Sequence, residues 1–209
     1  NLAHTALLQA SHDFSLYTTV NAGVSFLYRT YSERYVLDNS ATASGDAFYD
    51  AELEARLSLR HVFSVDTELT LAGVYRRVRS NGNFYFYGPN ETTYDPLNPD
   101  RMLLDDFYSH DSIGSTISLS RRIGTVKLIL NAGHLYRLWT ARPPFNAADE
   151  PQLGVREYDI VVSAGTVVEW RISDAVLFKM QGAYEWKDSN NFKQQTDGIT
   201  AGCGLQVIF

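Results

Sequence analysis

The segment Ile199 to Phe209, ITAGCGLQVIF, decides the fold, because its side chains alternate in character with a period of two. One side carries Ala201, Cys203, Leu205, Val207 and Phe209, and the other carries Thr200, Gly202, Gly204 and Gln206. Successive side chains of a β-strand point to opposite faces of its sheet. The segment is therefore predicted to be a strand with one face committed to an apolar environment.

The same alternation recurs through most of the chain. It is clearest from Tyr49 to Phe63, where Ala51, Leu53, Ala55 and Leu57 oppose Asp50, Glu52, Glu54, Arg56 and Ser58. Similar patterns cover residues 20–28, 69–75, 113–119, 126–138, 158–170 and 176–186. A strand of a soluble sandwich rarely keeps such a pattern for about fifteen residues, whereas a tilted membrane strand with an extension beyond the bilayer does.

The final segment resembles the C-terminal signal strand of Gram-negative outer-membrane β-barrels, which ends on an aromatic residue. The resemblance implies that Leu205, Val207 and Phe209 form the assembly signal that the barrel-assembly machinery recognises. It also implies an all-β fold, a transmembrane antiparallel up-and-down barrel, located in the bacterial outer membrane. No particular family within that class is identified.

The links between the predicted strands alternate in length, as they do in such barrels. Short links are expected at residues 64–67, 122–124 and 173–174, and long ones at residues 33–47, 81–106, 141–154 and 188–196. Short periplasmic turns and long extracellular loops are typical of bacterial outer-membrane barrels. The long loops are then extracellular and are candidates for presenting a binding surface.

The number of strands is left open by residues 1–16, which form either a lead-in or an extra strand ahead of a barrel over residues 17–209. Without them the count is about eight, an even number as in single-chain bacterial barrels. With them the count is odd, and the chain would be the C-terminal part of a larger barrel. The sequence opens on Asn1 without Met, as expected of a processed chain or a fragment.

Composition excludes several classes of function. The net charge is -6, which argues against nucleic acid as a partner. The single cysteine, Cys203, cannot form an internal disulfide and is expected to be a small packing residue. The sequence contains no apolar run long enough for a transmembrane helix, but that does not exclude alternating strands.

The polar side of the strands is predicted to line the interior of the barrel. The candidate pore-lining or lumen-lining residues are Asp50, Glu52, Glu54, Arg56, Arg60, Arg76, Lys127, Asn131, Arg137, Glu157, Asp159, Glu169, Arg171, Lys179, Gln181 and Glu185. In a wide barrel they would line a water-filled passage, as in a porin or an export conduit. In a closed small barrel they would pair with one another, and the protein would be a scaffold or a surface-binding module acting through its loops.

Catalysis is not expected. His110 and Ser112 are separated by one residue, which is similar to the spacing in outer-membrane lipid A deacylases, but the following Ile113 and Gly114 depart from that pattern. A lipid hydrolase is therefore a minor alternative. The five histidines are scattered and give no short metal-ligand spacing, so no metal and no cofactor are expected. The expected partners are outer-membrane lipid, lipopolysaccharide, the barrel-assembly machinery and other envelope proteins.

Overall fold

The structure is a computed structural model that describes residues 2–37, 43–86, 102–148 and 150–207. These residues form strands β1 (Leu2–Ser15), β2 (Thr18–Leu37), β3 (Ala43–Ser64), β4 (Thr67–Ser80), β5 (Phe84–Phe86), β6 (Met102–Leu104), β7 (His110–Ile123), β8 (Val126–Trp139), β9 (Tyr158–Ser173), β10 (Val176–Ser189) and β11 (Thr196–Val207). The short 3-10 helix Phe192–Gln194 precedes β11. Among the described residues no helix is long and apolar enough to cross a membrane.

Nine of these strands form one antiparallel sheet in the order β1-β2-β3-β4-β7-β8-β9-β10-β11. Each strand of this sheet therefore pairs with its neighbour in the chain, apart from the small β5-β6 hairpin inserted between β4 and β7. This arrangement confirms the predicted all-β, antiparallel, up-and-down fold. Within the described residues the sheet is not closed, because β1 and β11 each pair on one side only.

The segment that the sequence left ambiguous is a strand, since β1 pairs with β2 from Leu2 opposite Thr30 to Ser15 opposite Thr18. It occupies the edge of β2 that β11 would need in order to close a barrel without β1. The described sheet thus has the odd count, which is the second of the two alternatives drawn from the sequence.

The register confirms the two faces predicted from the alternation. Leu57 lies opposite Ala22 of β2 and Gly73 of β4, and Gly73 lies opposite Ser115 of β7. The adjacent polar residue Arg56 lies opposite Gly23 and Val74. Cross-strand partners share a face of the sheet. One continuous face is therefore rich in apolar side chains, and the other carries most of the charged ones.

The short links are confirmed as turns of two residues, at residues 65–66, 124–125 and 174–175, with a fourth at residues 16–17. Gly124 has φ +60, a left-handed conformation that glycine adopts without strain. All four turns lie at one end of the sheet, and the longer connections lie at the other. We call these the turn end and the loop end.

Parts of the predicted loops are strand instead. β2 continues to Leu37 and β3 begins at Ala43, so the loop predicted at residues 33–47 was too long. The loop predicted at residues 81–106 contains the β5-β6 hairpin. β11 begins at Thr196 rather than Ile199. Polar strand residues outside an apolar environment lose the alternation on which the sequence prediction rests, yet their backbones still pair. Residues 38–42 and 87–101, within these loops, lie outside the described residues.

The buried side chains gather at the loop end. Phe48 and Phe107 are the large apolar side chains buried in the described part of the chain, at 7% exposure each. Along the middle of the sheet, residues such as Leu57 and Ile113 remain exposed. A soluble domain of this length would bury a substantial apolar core. The described residues form no such core and leave the apolar face of the sheet exposed.

We expect Gly114→Ala to destabilise the sheet. A Cβ at Gly114 would lie 2.7 Å from the backbone oxygen of His134 on β8, which cannot move without disturbing the ladder. The expected cost is about 1–3 kcal/mol, the range for overpacking. Gly182→Ala is the matched control, because nothing lies within 4 Å of its added Cβ. The midpoint of urea unfolding of the full-length protein measures both, and equal midpoints would contradict the account.

Candidate functional site: the polar face of the sheet

The predicted lumen-lining residues all lie on one face or in line with it. Register places Glu54 opposite Arg76, Lys127 opposite Glu169, and Glu169 opposite Lys179. Asn131, Gln181 and Glu185 follow the same alternation on β8 and β10. Glu157 precedes β9 by one residue and continues its polar side. We call this set the polar face.

A first set of ion pairs on the polar face joins β3 and β4 near the middle of both strands. The guanidinium of Arg76 lies 3.1 Å from the Glu52 carboxylate through Nε and also donates to Glu54. Arg56 Nη2 lies 3.3 Å from Glu54 Oε1. The two acids and two bases balance in charge. Since Arg56 and Arg76 are about half exposed, these pairs contribute little to stability, but they place charge of both signs along the face.

The turn end of the same face carries a second set of ion pairs. Arg60 Nη2 donates to Glu68 Oε2 at 2.6 Å between β3 and β4. Lys179 Nζ lies 3.7 Å from Glu169 Oε1 between β10 and β9. Arg171 is exposed beyond them. Charged side chains therefore extend from the turn end along the polar face, both on β3 and β4 and on β9 and β10.

The loop end holds the most enclosed charges of the described chain. Glu157 and Asp159 are 0% and 1% exposed. Asp159 accepts from Trp139 Nε1 at 3.2 Å and lies 3.3 Å from Lys187 Nζ and 3.6 Å from Arg137 Nη1. Glu157 accepts from Asn191 Nδ2 at 2.6 Å. We call these residues, together with Arg142, the loop-end network.

Arg142 connects the loop over residues 140–157 to this network. Its Nε lies 3.0 Å from Glu157 Oε2, and its guanidinium lies 4.7 Å from the ring centre of Trp139 and 5.0 Å from that of Phe107. The pair is close, but its N–H is not aligned as a hydrogen bond. The charge of Glu157 and cation–π contacts with Trp139 and Phe107 therefore hold the guanidinium of Arg142 in place.

Hydrogen bonds around the network hold the connection between β8 and β9 against the connection between β10 and β11. The backbone N–H of Glu157 donates to Arg142 O at 2.8 Å, and Phe192 N donates to Phe145 O at 3.0 Å. Asn190 Oδ1 accepts from Tyr158 N at 2.8 Å. The sequence predicted Arg137, Glu157 and Asp159 but missed Arg142, Lys187 and Asn191. Arg142 lies in a loop that contains prolines, and Asn191 lies in a polar loop. Nothing in the sequence of either loop indicates that these side chains contact the end of the sheet.

Burial raises the pKa of Glu157, and the hydrogen bond from Asn191 and the charge of Arg142 oppose that rise only in part. The carboxyl group of Glu157 therefore binds its proton more tightly in the native state than in the unfolded chain. Stability from this group is full below the unfolded pKa of about 4.3 and is lost as pH rises through the higher native pKa. We expect Glu157→Gln to remove that decline, measured as urea midpoints between about pH 4 and pH 7. A decline of equal size in both proteins would contradict it.

The residues considered for catalysis are not brought together. His110 Nδ1 lies 3.2 Å from Tyr108 O, and Ser112 is buried. No hydrogen bond joins His110 to Ser112 within the described residues. The serine and histidine that do meet are Ser115 and His134, at 3.0 Å on the apolar face, where no acid contacts the histidine among the described side chains. No group of three or more His, Cys, Asp or Glu in the described residues is placed to hold a metal ion.

The apolar face ends in aromatic pairs toward the loop end. Tyr28 stacks on Tyr49 with ring centres 5.6 Å apart, and Tyr136 stacks on Tyr158 at 6.2 Å. Leu205 and Val207 of the proposed assembly signal are exposed on this face of β11. Phe209 lies outside the described residues. Aromatic rings at such a boundary are typical of the girdles of membrane barrels.

Comparison with known proteins identifies the fold. No protein-family model matches the sequence, and no curated protein matches it. Among solved structures, the ferric-catecholate import receptor Fiu from E. coli K12 matches with a TM-score of 0.52 and 8% identity, over 97% of this chain and 43% of that one. The outer membrane transporter YddB from Escherichia coli matches with a TM-score of 0.47 and 12% identity, over 95% of this chain and 30% of that one.

These similar structures are bacterial outer-membrane transporters, and this chain spans less than half the length of either. The likeness to Fiu shows a shared all-β fold. Together with the strand order of the sheet, it defines the class of this chain as an all-β, antiparallel, up-and-down fold.

Proposed function

We propose that this chain forms part of the wall of an outer-membrane transport barrel and that its polar face lines the passage. The observation that carries the proposal is the division of the sheet into a charged face and a mainly apolar face, which the pairing of β2, β3, β4 and β7 shows. The hydrocarbon of a bilayer is a favourable environment for the apolar face, and water in a lumen solvates the charged face. Glu52, Glu54, Arg56 and Arg76 would then bias which solutes pass.

The proposed barrel is larger than the nine described strands. The free edges of β1 and β11 expose backbone N–H and C=O groups, which cannot remain unpaired in the hydrocarbon region of a bilayer. Further strands between these two edges would pair them and allow an even total. The closed eight-stranded scaffold draws no support from the sheet, because β1 already occupies the edge of β2.

The transported solute is proposed only as a class. The protein with the similar fold, Fiu, is described as a receptor for ferric-catecholate import. We propose the same general activity for this chain, movement of a solute across the outer membrane. Location in that membrane, contact with its lipid and lipopolysaccharide, and recognition of Leu205, Val207 and Phe209 by the barrel-assembly machinery belong to the same proposal.

The test is the conductance of the full-length protein, purified from outer membranes, in a planar bilayer. We expect a stable open current whose preference for cations falls when Glu52 and Glu54 are replaced by Gln, because the basic residues of that group then dominate. Gln in place of the exposed Glu150 in a loop is the matched control and should leave the preference unchanged. A folded, heat-modifiable protein that carries no current would support a scaffold acting through its loops instead.

A further inference from the structure

Three charged side chains interrupt the apolar face at the loop end of β4 and β7. Arg77 and Arg79 follow Tyr75 on the same side of β4, and Asp111 lies opposite Arg77 on β7. Leu53 of β3 lies opposite Arg77, and Leu138 of β8 lies opposite Asp111. A charged side chain facing lipid costs about 2–4 kcal/mol at the bilayer midplane and little near its surface. The cluster therefore belongs at the level of the lipid headgroups.

Asp111 holds both guanidiniums without neutralising them. Arg77 Nε donates to Asp111 Oδ1 at 2.8 Å, and Arg79 Nη2 lies 3.2 Å from Asp111 Oδ2. Tyr75 OH also donates to Asp111 Oδ1, at 3.2 Å. One carboxylate between two arginines leaves a net positive charge. The side chains of Arg77 and Arg79 remain 49% and 40% exposed. Arg79 Nη1 also donates to Val78 O at 2.9 Å, whereas Arg77 contacts Asp111 through Nε, so the terminal nitrogens of Arg77 are the main donors left for a ligand.

An apolar groove begins directly below this cluster. It has a volume of about 460 Å³ and is lined on the apolar face by Ala22, Ala55, Leu57, Gly73, Tyr75 and Ile113. The groove is open along one side, and its lining includes the small residues Ala22, Ala55 and Gly73 as well as larger ones. Tyr75 belongs to both features, since its ring lines the groove and its hydroxyl contacts Asp111. The basic pair and the groove are thus parts of one continuous surface.

We propose that this surface binds an outer-leaflet lipid that carries phosphate, with the phosphate on Arg77 and Arg79 and an acyl chain in the groove. The positive charge fits a phosphate, because guanidiniums bind phosphate through charge-assisted hydrogen bonds. The arginines lie nearer the loop end than the groove does, as a headgroup lies above its acyl chains, and long arginine side chains reach toward the headgroup layer. Phosphate groups above several acyl chains are the chemistry of the lipopolysaccharide anchor. The inference rests on the proposed function for its membrane orientation, with the loop end outside.

The test is native mass spectrometry of the full-length protein, extracted from outer membranes in mild detergent and titrated with diphosphoryl lipid A. We expect the Arg77→Gln/Arg79→Gln double variant to bind at least about tenfold more weakly than the wild type, the loss expected for charged hydrogen bonds. Gly73→Leu should also weaken binding by filling the groove, and its Cβ is tolerated because its nearest neighbour is 3.9 Å away.

The control is Arg121→Gln, which removes one charge from the same face at the turn end, where Arg121 lies opposite Leu128. It should bind lipid A as the wild type does. Equal binding by the double variant and the wild type would overturn the proposal, as would equal binding of the same lipid A without its phosphate groups. These results are read only on heat-modifiable protein, so failure of the barrel itself would show separately as loss of that folded form.

Discussion

Asp159→Ala is expected to lower the free energy of unfolding by about 3–5 kcal/mol, the cost of leaving buried charges without their partner. Asp159 is 1% exposed and lies within 4 Å of Lys187 and Arg137, and it accepts from Trp139. Because the side chain of Arg137 is 31% exposed, water compensates part of the loss. The lower end of the range is therefore expected.

The measurement is urea unfolding of the full-length protein. Glu185→Ala is the matched control, since Glu185 is an exposed acid on the same face with no ion pair within the described residues. Its effect should stay within about 0.5 kcal/mol. If Asp159→Ala cost no more than Glu185→Ala, the loop-end network would not hold the sheet as described.

Leu57→Arg is expected to destabilise the assembled barrel by about 2–4 kcal/mol, whereas Ser58→Arg should be tolerated. The two residues are adjacent on β3 and face opposite sides of the sheet, because Leu57 pairs with Gly73 and Ser58 with Ala72. Leu57 is 59% exposed with nothing in the described chain to cover it. Only a lipid environment makes that position costly for a charge.

The amount of heat-modifiable protein recovered from outer membranes measures this difference. Leu128→Arg on β8 should behave as Leu57→Arg does, because Leu128 lies on the same face. Equal recovery of the Leu57 and Ser58 variants would contradict the assignment of the two faces.

The alternation of side chains made most of the sheet predictable. Where one face must be apolar, a shift of one residue would expose every side chain to the wrong surrounding, so sequence alone fixes the faces. Residues 50–61 show this best, because each of them pairs in register with both β2 and β4. The extension of β2 to Leu37 was not predictable, since strand pairing beyond the apolar region needs no such pattern.

Contacts across strands were predicted less well, because they depend on register. The sequence shows Arg60, Arg76 and several acids, but only pairing places Arg76 beside Glu54 and Arg60 beside Glu68. Asp111 lies near the start of β7, and nothing in its neighbourhood indicates two arginines from β4. Arg142 reaches the network from a loop, whose path no periodicity describes.

Cysteine labelling measures whether the sheet separates water from lipid. In a Cys203→Ser background, single cysteines at Ser58 and Gln181 on the polar face and at Leu57 and Leu130 on the apolar face are treated with a membrane-impermeant maleimide in intact outer membranes. Cys203 is a free cysteine on the apolar face, and the background change ensures that any labelling comes from the introduced cysteine. We expect labelling at Ser58 and Gln181 and protection at Leu57 and Leu130. Equal labelling of both faces would contradict the barrel wall.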